Sequence, residues 1–195
     1  MAAKIGLAVL AAGLSRRFGL QDKLMAPLDG RPLCDHIAQT TATFDAASRL
    51  AICAPASAAS TVFTGHGFGI IENPHPEEGL SGSLKLAASH ADDADLDALI
   101  ICLADMPFVP LTHLQRLRAS WLETGRPKAI ASRAAASESW ITPPAIFSAT
   151  AFPDLLATSG DTGARALLKG AATVEVYAAS LSDFDTIDDF GRAKR

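Results

Sequence analysis

A lysine, two arginines and several aspartates stand where polyphosphate chemistry would need them. Residues 10–24 read Leu-Ala-Ala-Gly-Leu-Ser-Arg-Arg-Phe-Gly-Leu-Gln-Asp-Lys-Leu, so Leu10, Ala11, Ala12 and Gly13 precede Arg16, Arg17 and Lys23. Small residues let a nucleotide approach the main chain, amide groups face phosphate oxygens, and guanidinium and ammonium groups neutralise their charge. The segment is neither a P-loop nor a dinucleotide fingerprint, because GxxxxGK[ST] and GxGxxG are both absent. On composition alone a solvated surface loop accounts for it about as well.

A second signal is the apolar run Leu99–Ala104, which ends in Asp105-Met106-Pro107. A carboxylate at a strand end suits Mg²⁺, which takes one or two protein carboxylates and completes its shell with water and phosphate oxygens. The later run Asp183-Phe184-Asp185-Thr186-Ile187-Asp188-Asp189 offers the second acid. A helix cap for Asp105 and an ordinary acidic turn for 183–189 remain open alternatives.

Two further segments read as loops leading into helices. Asn73–Leu84 would present a Ser-capped helix with Ser81 and Ser83, and Gly160-Asp161-Thr162-Gly163-Ala164-Arg165 has the same form. Helix N-termini bind anions, although simple capping explains both segments equally well. His75 and His113 lie near predicted loops without metal-ligand spacing and are read as incidental. No GxSxG elbow occurs, and Cys34, Cys53 and Cys102 fall inside predicted elements, which leaves serine or cysteine hydrolase chemistry without support.

These residues need a scaffold that gathers strand ends. Apolar runs at Lys4–Leu10, Leu50–Ala54, Gly69–Glu72, Ala98–Leu103, Lys128–Ser132 and Thr173–Tyr177 predict strands. Between them Pro32–Phe44, Ser81–His90, Leu111–Leu122 and Asp161–Leu168 have helical spacing, with Ser, Thr or Asp near several expected caps. The alternation predicts an α/β fold with a mostly parallel sheet covered by helices on both faces, and ligands beyond the carboxyl ends of the strands. Gly65–Gly69 reads as a turn, Ala131–Ser139 as a loop before Trp140, and Asp92, Asp93, Asp95 and Asp97 as a solvated turn.

Composition sets the outer limits. The 195 residues suit one domain spanning 1–195, and 49% hydrophobic residues exclude intrinsic disorder. The net charge of −4 provides no global positive field for polymeric nucleic acid or an anionic membrane. No uncharged apolar run approaches the roughly 18 residues of a membrane helix. The odd, scattered cysteines predict a reduced cytoplasm and no structural zinc. Lys4 before Ile5–Ala12, with Ser15-Arg16-Arg17 after it, looks like an export signal only until the charges that follow are read.

Taken together, the residues resemble the MobA-like nucleotidyltransferases, and within them the molybdenum cofactor cytidylyltransferase branch, over nearly the whole chain. The family's opening LAAGxSxRxG and following lysine stand as Leu10–Gly19 and Lys23, its DMP as Asp105–Pro107, and its closing DxDTPED as Asp183–Asp189. The Gly-Leu-Ser-x-Ser-Leu and GDxGAR segments are present too.

The resemblance implies a Rossmann-like three-layer nucleotidyltransferase fold. It implies triphosphate binding by Arg17 and Lys23, Mg²⁺ on Asp105 and Asp185, and base and ribose contacts from Leu10, Ala11, Ala12, Gly13, Ser81 and Ser83. Pro143, Asp161 and Arg165 would lie toward the acceptor. LAAG, resting mainly on Ala12, implies CTP rather than GTP. The implied reaction transfers CMP to the phosphate of a molybdopterin-type acceptor, with a molybdoenzyme or its chaperone downstream.

Two departures stand out. Ile141-Thr142-Pro143-Pro144-Ala145-Ile146-Phe147 replaces a Gly-His-Pro pattern, and Ile187 replaces the proline of the closing motif. The first bears on the acceptor, so another NTP, a sugar phosphate or other phosphorylated acceptor, and a non-catalytic nucleotide or cofactor carrier stay open.

Overall fold

The computed structural model describes residues 2–14, 18, 22–135, 140–160, 166–186 and 189–190. At its centre is β1 (Ile5–Ala11), whose seven residues are all buried because helices cover both faces. The strands β4 (Ser48–Cys53) and β6 (Ala98–Leu103) flank it in parallel, and β5 (Gly69–Glu72) continues the sheet beyond β4. Past β6 come β8 (Ile141–Ser148), β7 (Ala129–Ala134) and β9 (Ala172–Val176), giving the order β5-β4-β1-β6-β8-β7-β9. Only β8 among these seven runs against its neighbours. A two-stranded ribbon of β2 (Pro27–Leu28) and β3 (Arg31–Pro32) stands apart.

The side-chain period of a strand divides the core into two layers. Ile5, Leu7, Val9 and Ala11 of β1 face α1 (Leu33–Ala42), α2 (Ala59–Gly65) and α4 (Leu111–Glu123), while Ala8 and Leu10 face α3 (Leu80–Asp93) and α5 (Phe152–Leu156). The helices turn matching stripes inward: Leu33, Cys34, Ile37, Ala38 and Thr41 on α1, and Leu84, Ala87, Ala88 and Ala91 on α3. Alanines on that second stripe let α3 lie close to the sheet.

Chain order produces the site. After β1 the chain moves outward through α1 to β4, whereas after β5 it returns through α3 to β6 on the other side of β1. Such a reversal opens a crevice beyond the carboxyl ends of the two central strands. Ala104 N donates to Leu10 O at 3.0 Å, which ties those two ends together.

Several expectations need correction. The N-cap residues of α1, α3 and α4 are Pro32, Gly79 and Pro110, without a side-chain cap hydrogen bond, so on these three helices the expected Ser, Thr and Asp caps, including the Ser cap of α3, are not formed. Proline before α1 and α4 brings a fixed φ that serves the approach to a helix in its own way. Ala131–Ala134 is strand rather than loop.

Ile141–Ser148 is also a strand, although it carries two prolines. The pairing with β7 passes from Ala131↔Ala145 to Ser132↔Thr142, so Pro143 and Pro144 form the bulge that the ladder skips. Proline has no N–H to give, and a bulge asks for none. The ribbon, α2 and α5 were not anticipated, because each is too short to show a period. The turn after α2 is as expected, with Gly67 at positive φ, whereas of the four aspartates read as one turn Asp92 and Asp93 belong to the last turn of α3 and only Asp95 and Asp97 lie beyond it, with Asp95 at positive φ.

Candidate functional site

The crevice between β1 and β6 holds a cavity of about 360 Å³. One wall is the loop Leu10–Leu14, a second is Leu103–Asp105, and a third is the segment Pro76–Leu80 with Ser83 at the start of α3. Lys23 and Asp185 complete it. Gly13 has open space where a Cβ would stand, so this wall exposes main chain to whatever enters.

Lys23 sits on a single 3-10 turn, Lys23–Met25, whose first N–H groups need acceptors. Asp22 supplies one, its Oδ1 accepting from Leu24 N at 2.9 Å. The turn delivers a lysine side chain that is only 10% exposed. Its Nζ donates to Asp105 Oδ2 at 2.8 Å and to Asp185 Oδ1 at 2.8 Å. Three segments far apart in the chain thus meet at one ammonium. Burial alone would pull the Lys23 pKa down, but Asp105 and then Asp185 outweigh it and hold it above the ordinary lysine value. Burial, reinforced by Asp105 and Asp185, raises the neighbouring Asp183 carboxyl.

The carboxylate of Asp105 therefore pairs with Lys23, and it is Pro110 that stands at the N-cap of α4. The closing acidic run is more than a solvated turn as well. Phe184 N donates to Asp105 O at 3.1 Å, which brings Asp185 alongside.

On the third wall Asn73 does unexpected work. It is buried, its Oδ1 accepts from His75 N at 3.0 Å, and its Nδ2 donates to Ser83 Oγ at 3.2 Å. A Cβ on residue 82 would approach that amide to 3.2 Å, so glycine there lets α3 settle on it. Gly79, at φ +79°, makes the turn into the helix.

Of the residues singled out from sequence, Leu10, Ala11, Ala12, Gly13, Lys23, Ser83, Asp105 and Asp185 line one cavity. Ser81 does not, being buried with its hydroxyl donating to Glu78 O at 3.4 Å. Pro143 is in the bulge of β8, on the same edge of the sheet as the carboxyl ends of the parallel strands, outside the cavity wall. Arg16, Arg17, Asp161 and Arg165 lie outside the described residues.

Lys23, Asp105 and Asp185 can hold polyanions and hard cations. Asp105, just past β6, and Asp185, in the closing acidic run, converge on the Lys23 ammonium, and their hard oxygens are of the kind that suits a divalent ion of the Mg²⁺ class. Among the described residues no group of three His, Cys, Asp or Glu side chains could hold a metal alone, so water and substrate oxygens would have to complete a shell. The cysteines are free and buried. Burial pushes the Cys34 and Cys102 thiols up to about 12 and the Cys53 thiol up to about 11, where they are poor nucleophiles.

A family model described as the MobA-like NTP transferase domain matches residues 7–176. The chain belongs to the MobA-like NTP transferase family. Within that family setting it is 29% identical over 204 residues to the purine catabolism protein PucB of Bacillus subtilis, covering 95% of this chain and 94% of that protein. It is 37% identical over 114 residues to a molybdenum cofactor guanylyltransferase of Cereibacter sphaeroides, covering 58% of this chain and 55% of that protein. The crystal structure of Rv0371c from Mycobacterium tuberculosis H37Rv superposes with a TM-score of 0.77 at 25% identity, over 98% of each chain.

The family match confirms the nucleotidyltransferase resemblance read from the motifs. Sequence reasoning missed the supporting roles of Asp22, Asn73 and Asp189, which hold site segments in place rather than line the cavity. Asp22 had a faint signal, since Asp commonly bonds to backbone two residues on. Asn73 had none. Among the described residues no helix is long and apolar enough to cross a membrane.

Proposed function

We propose that this chain, acting as one domain over residues 1–195, is a Mg²⁺-dependent cytidylyltransferase. It transfers CMP from CTP to the terminal phosphate of a molybdopterin-type cofactor and releases pyrophosphate. The observation that carries the reading is the Lys23 ammonium held between Asp105 and Asp185 against the exposed main chain of Leu10–Gly13.

An acceptor phosphate oxygen forms a bond to the α-phosphorus, and the bond from that phosphorus to the bridging oxygen breaks. The electron pair leaves with pyrophosphate. The acceptor is already ionised, so no general base is needed, and positioning with charge neutralisation supplies most of the rate. Lys23, with Arg17, binds the triphosphate and stabilises the charge that builds on the departing oxygens. The walls at Ala11–Gly13 and Ser83 hold base and ribose. Asp105 and Asp185 would hold Mg²⁺, which when bound withdraws charge from the phosphates. Pro143, Asp161 and Arg165 are assigned to the acceptor side, and a molybdoenzyme or its chaperone would receive the product in the cytoplasm.

Ala12 favours CTP, whereas the name of the Cereibacter relative favours GTP, so guanylyl transfer is the second reading. Thermal unfolding with CTP, GTP, ATP or UTP, each with and without Mg²⁺, separates them. Ligand at a hundred times Kd adds about 2.7 kcal/mol, or roughly 5–10 °C for a domain this size. A CTP-selective, Mg²⁺-dependent shift that disappears in Asp105→Ala is expected. A GTP-selective shift would transfer the assignment to guanylyl transfer. Pyrophosphate release with sugar phosphates would move the acceptor, and binding without turnover on any acceptor would leave a carrier.

A further inference from the structure

The hydrogen bonds behind the third wall can run in only one direction. They start at the backbone N–H of His75, a group that can only donate, and Asn73 Oδ1 accepts from it at 3.0 Å. That contact settles which end of the Asn73 amide is which, so the end facing Ser83 is Nδ2, which can only donate. Ser83 Oγ is therefore the acceptor at 3.2 Å, and the serine's own proton takes no part in the bond. Among the described residues no acceptor is bonded to that proton. Ser81 shows the alternative, since its hydroxyl donates to Glu78 O at 3.4 Å and it lies outside the cavity wall that Ser83 lines.

The seat of Asn73 leaves it little freedom. It is 2% exposed, and its N–H donates to Cys53 O at 2.8 Å, just past Cys53↔Glu72, the last pair between β4 and β5. A Cβ on residue 82 would stand 3.2 Å from Nδ2 and 3.5 Å from Oδ1, so the first turn of α3 closes over the amide. Backbone, amide oxygen and amide nitrogen are thus each held by a different segment.

We propose that Asn73 is a positioning residue for nucleotide binding: it makes the Ser83 hydroxyl an acceptor on the protein side and so presents its proton to the cavity. The bound triphosphate would meet that donor with an acceptor on its nucleoside half, either a ribose hydroxyl oxygen or a base carbonyl. The role rests on the nucleotidyl-transfer reading, whereas the direction of the Asn73–Ser83 bond does not.

The test compares Asn73→Asp, Ser83→Ala and the double variant. Aspartate keeps the shape and still accepts from His75 N, but its second oxygen accepts where the amide donated and draws the serine proton back from the cavity. Calorimetric affinity is measured for Mg·CTP, Mg·GTP and Mg·tripolyphosphate, and kcat and KM are determined with the triphosphate that binds. Asn73→Asp is expected to raise the nucleotide Kd and KM about tenfold, the loss of one hydrogen bond, with kcat and tripolyphosphate affinity unchanged. Ser83→Ala should do the same, and Asn73→Asp should add nothing further to it. A penalty that vanishes with 2′-deoxy- or 3′-deoxy-CTP would place the partner on the ribose, and one that persists with both would place it on the base.

Nucleotide affinity of Asn73→Asp within about twofold of the parent would overturn the proposal, as would additive effects in the double variant or equal losses for nucleotide and tripolyphosphate. If Asn73→Asp fails to fold, the Asn73 side-chain amide resonances of the parent decide the matter. They should move when nucleotide binds and stay when tripolyphosphate binds, and the same response to both, or to neither, would overturn the role. A parent chain that binds tripolyphosphate but none of the nucleoside triphosphates would overturn the nucleotidyl-transfer reading, and this role with it.

Discussion

At the carboxyl ends of β1 and β6 a lysine and two aspartates meet in an open cavity, whereas in the β8–β7–β9 half a histidine and a serine are sealed behind α4. His113 of α4 is 1% exposed and its Nε2 lies 2.6 Å from Ser132 Oγ, which donates to Pro144 O at 2.5 Å. Since the serine proton is committed to that carbonyl, the histidine is the donor and carries its proton on Nε2. Among the described residues its Nδ1 has no hydrogen-bond partner. Burial, with a smaller push from Arg116, lowers the His113 pKa to about 4, so the ring is neutral at ordinary pH.

The two groups meet the cost of desolvation differently. The polar pair in the second half is neutral and serves the carbonyl that the proline bulge leaves off the ladder. Charge survives in the first half because each ion has a counter-ion and water reaches the carboxylates, Asp185 most of all. The proposed chemistry falls where charge is retained, and the buried histidine bonds within the architecture.

That contrast can be broken at either end. The largest effect is expected from Lys23→Met. Loss of one preorganised charge-stabilising donor costs about 2–4 kcal/mol, or roughly 30-fold to 10³-fold in turnover, while the fold persists because both aspartates can turn to water. Steady-state kinetics beside thermal unfolding would check it, and a variant with parental turnover would remove Lys23 from the chemistry.

Acid should act on the other half. The unfolded chain takes up the His113 proton near 6.5 and the folded chain only near 4, so stability is complete above pH 6.5 and is lost as pH falls toward 4. The contribution is about 3 kcal/mol across that window. Denaturant unfolding at several pH values should show this slope in the parent and lose it in His113→Asn.

A smaller change is expected from Ser132→Ala, which strands Pro144 O and the His113 donor at once. It should cost about 1–3 kcal/mol in stability and leave nucleotide affinity unchanged. A drop in affinity would connect the two halves and undo the separation drawn between them.

The strands that position the site were readable because their signals are local. Gly69–Glu72 and Ala98–Leu103 coincide with β5 and β6, since each is a short apolar run ended by Glu72-Asn73 or Ala104-Asp105. Asp105 was conspicuous as a charge closing such a run. In contrast, β8 was hidden by its own sequence, because prolines argue against a strand unless one knows that the partner strand skips them. The supporting residues Asp22, Asn73 and Asp189 act through hydrogen bonds to nearby backbone and hydroxyl groups, and composition does not mark which asparagine or aspartate will make them. Lys23 and Asp185 lie 162 positions apart in the chain, a separation that only tertiary structure closes.

The lysine that joins Asp105 and Asp185 has one more consequence. The acidic end of the molecule receives its counter-charge from the chain itself, so completion of the fold depends on no imported ion. A chelator should leave the thermal midpoint within about 1 °C of its starting value, whatever it does to turnover. A newly synthesised copy can reach its final shape in a compartment poor in divalent metal and wait there, intact, for its substrates.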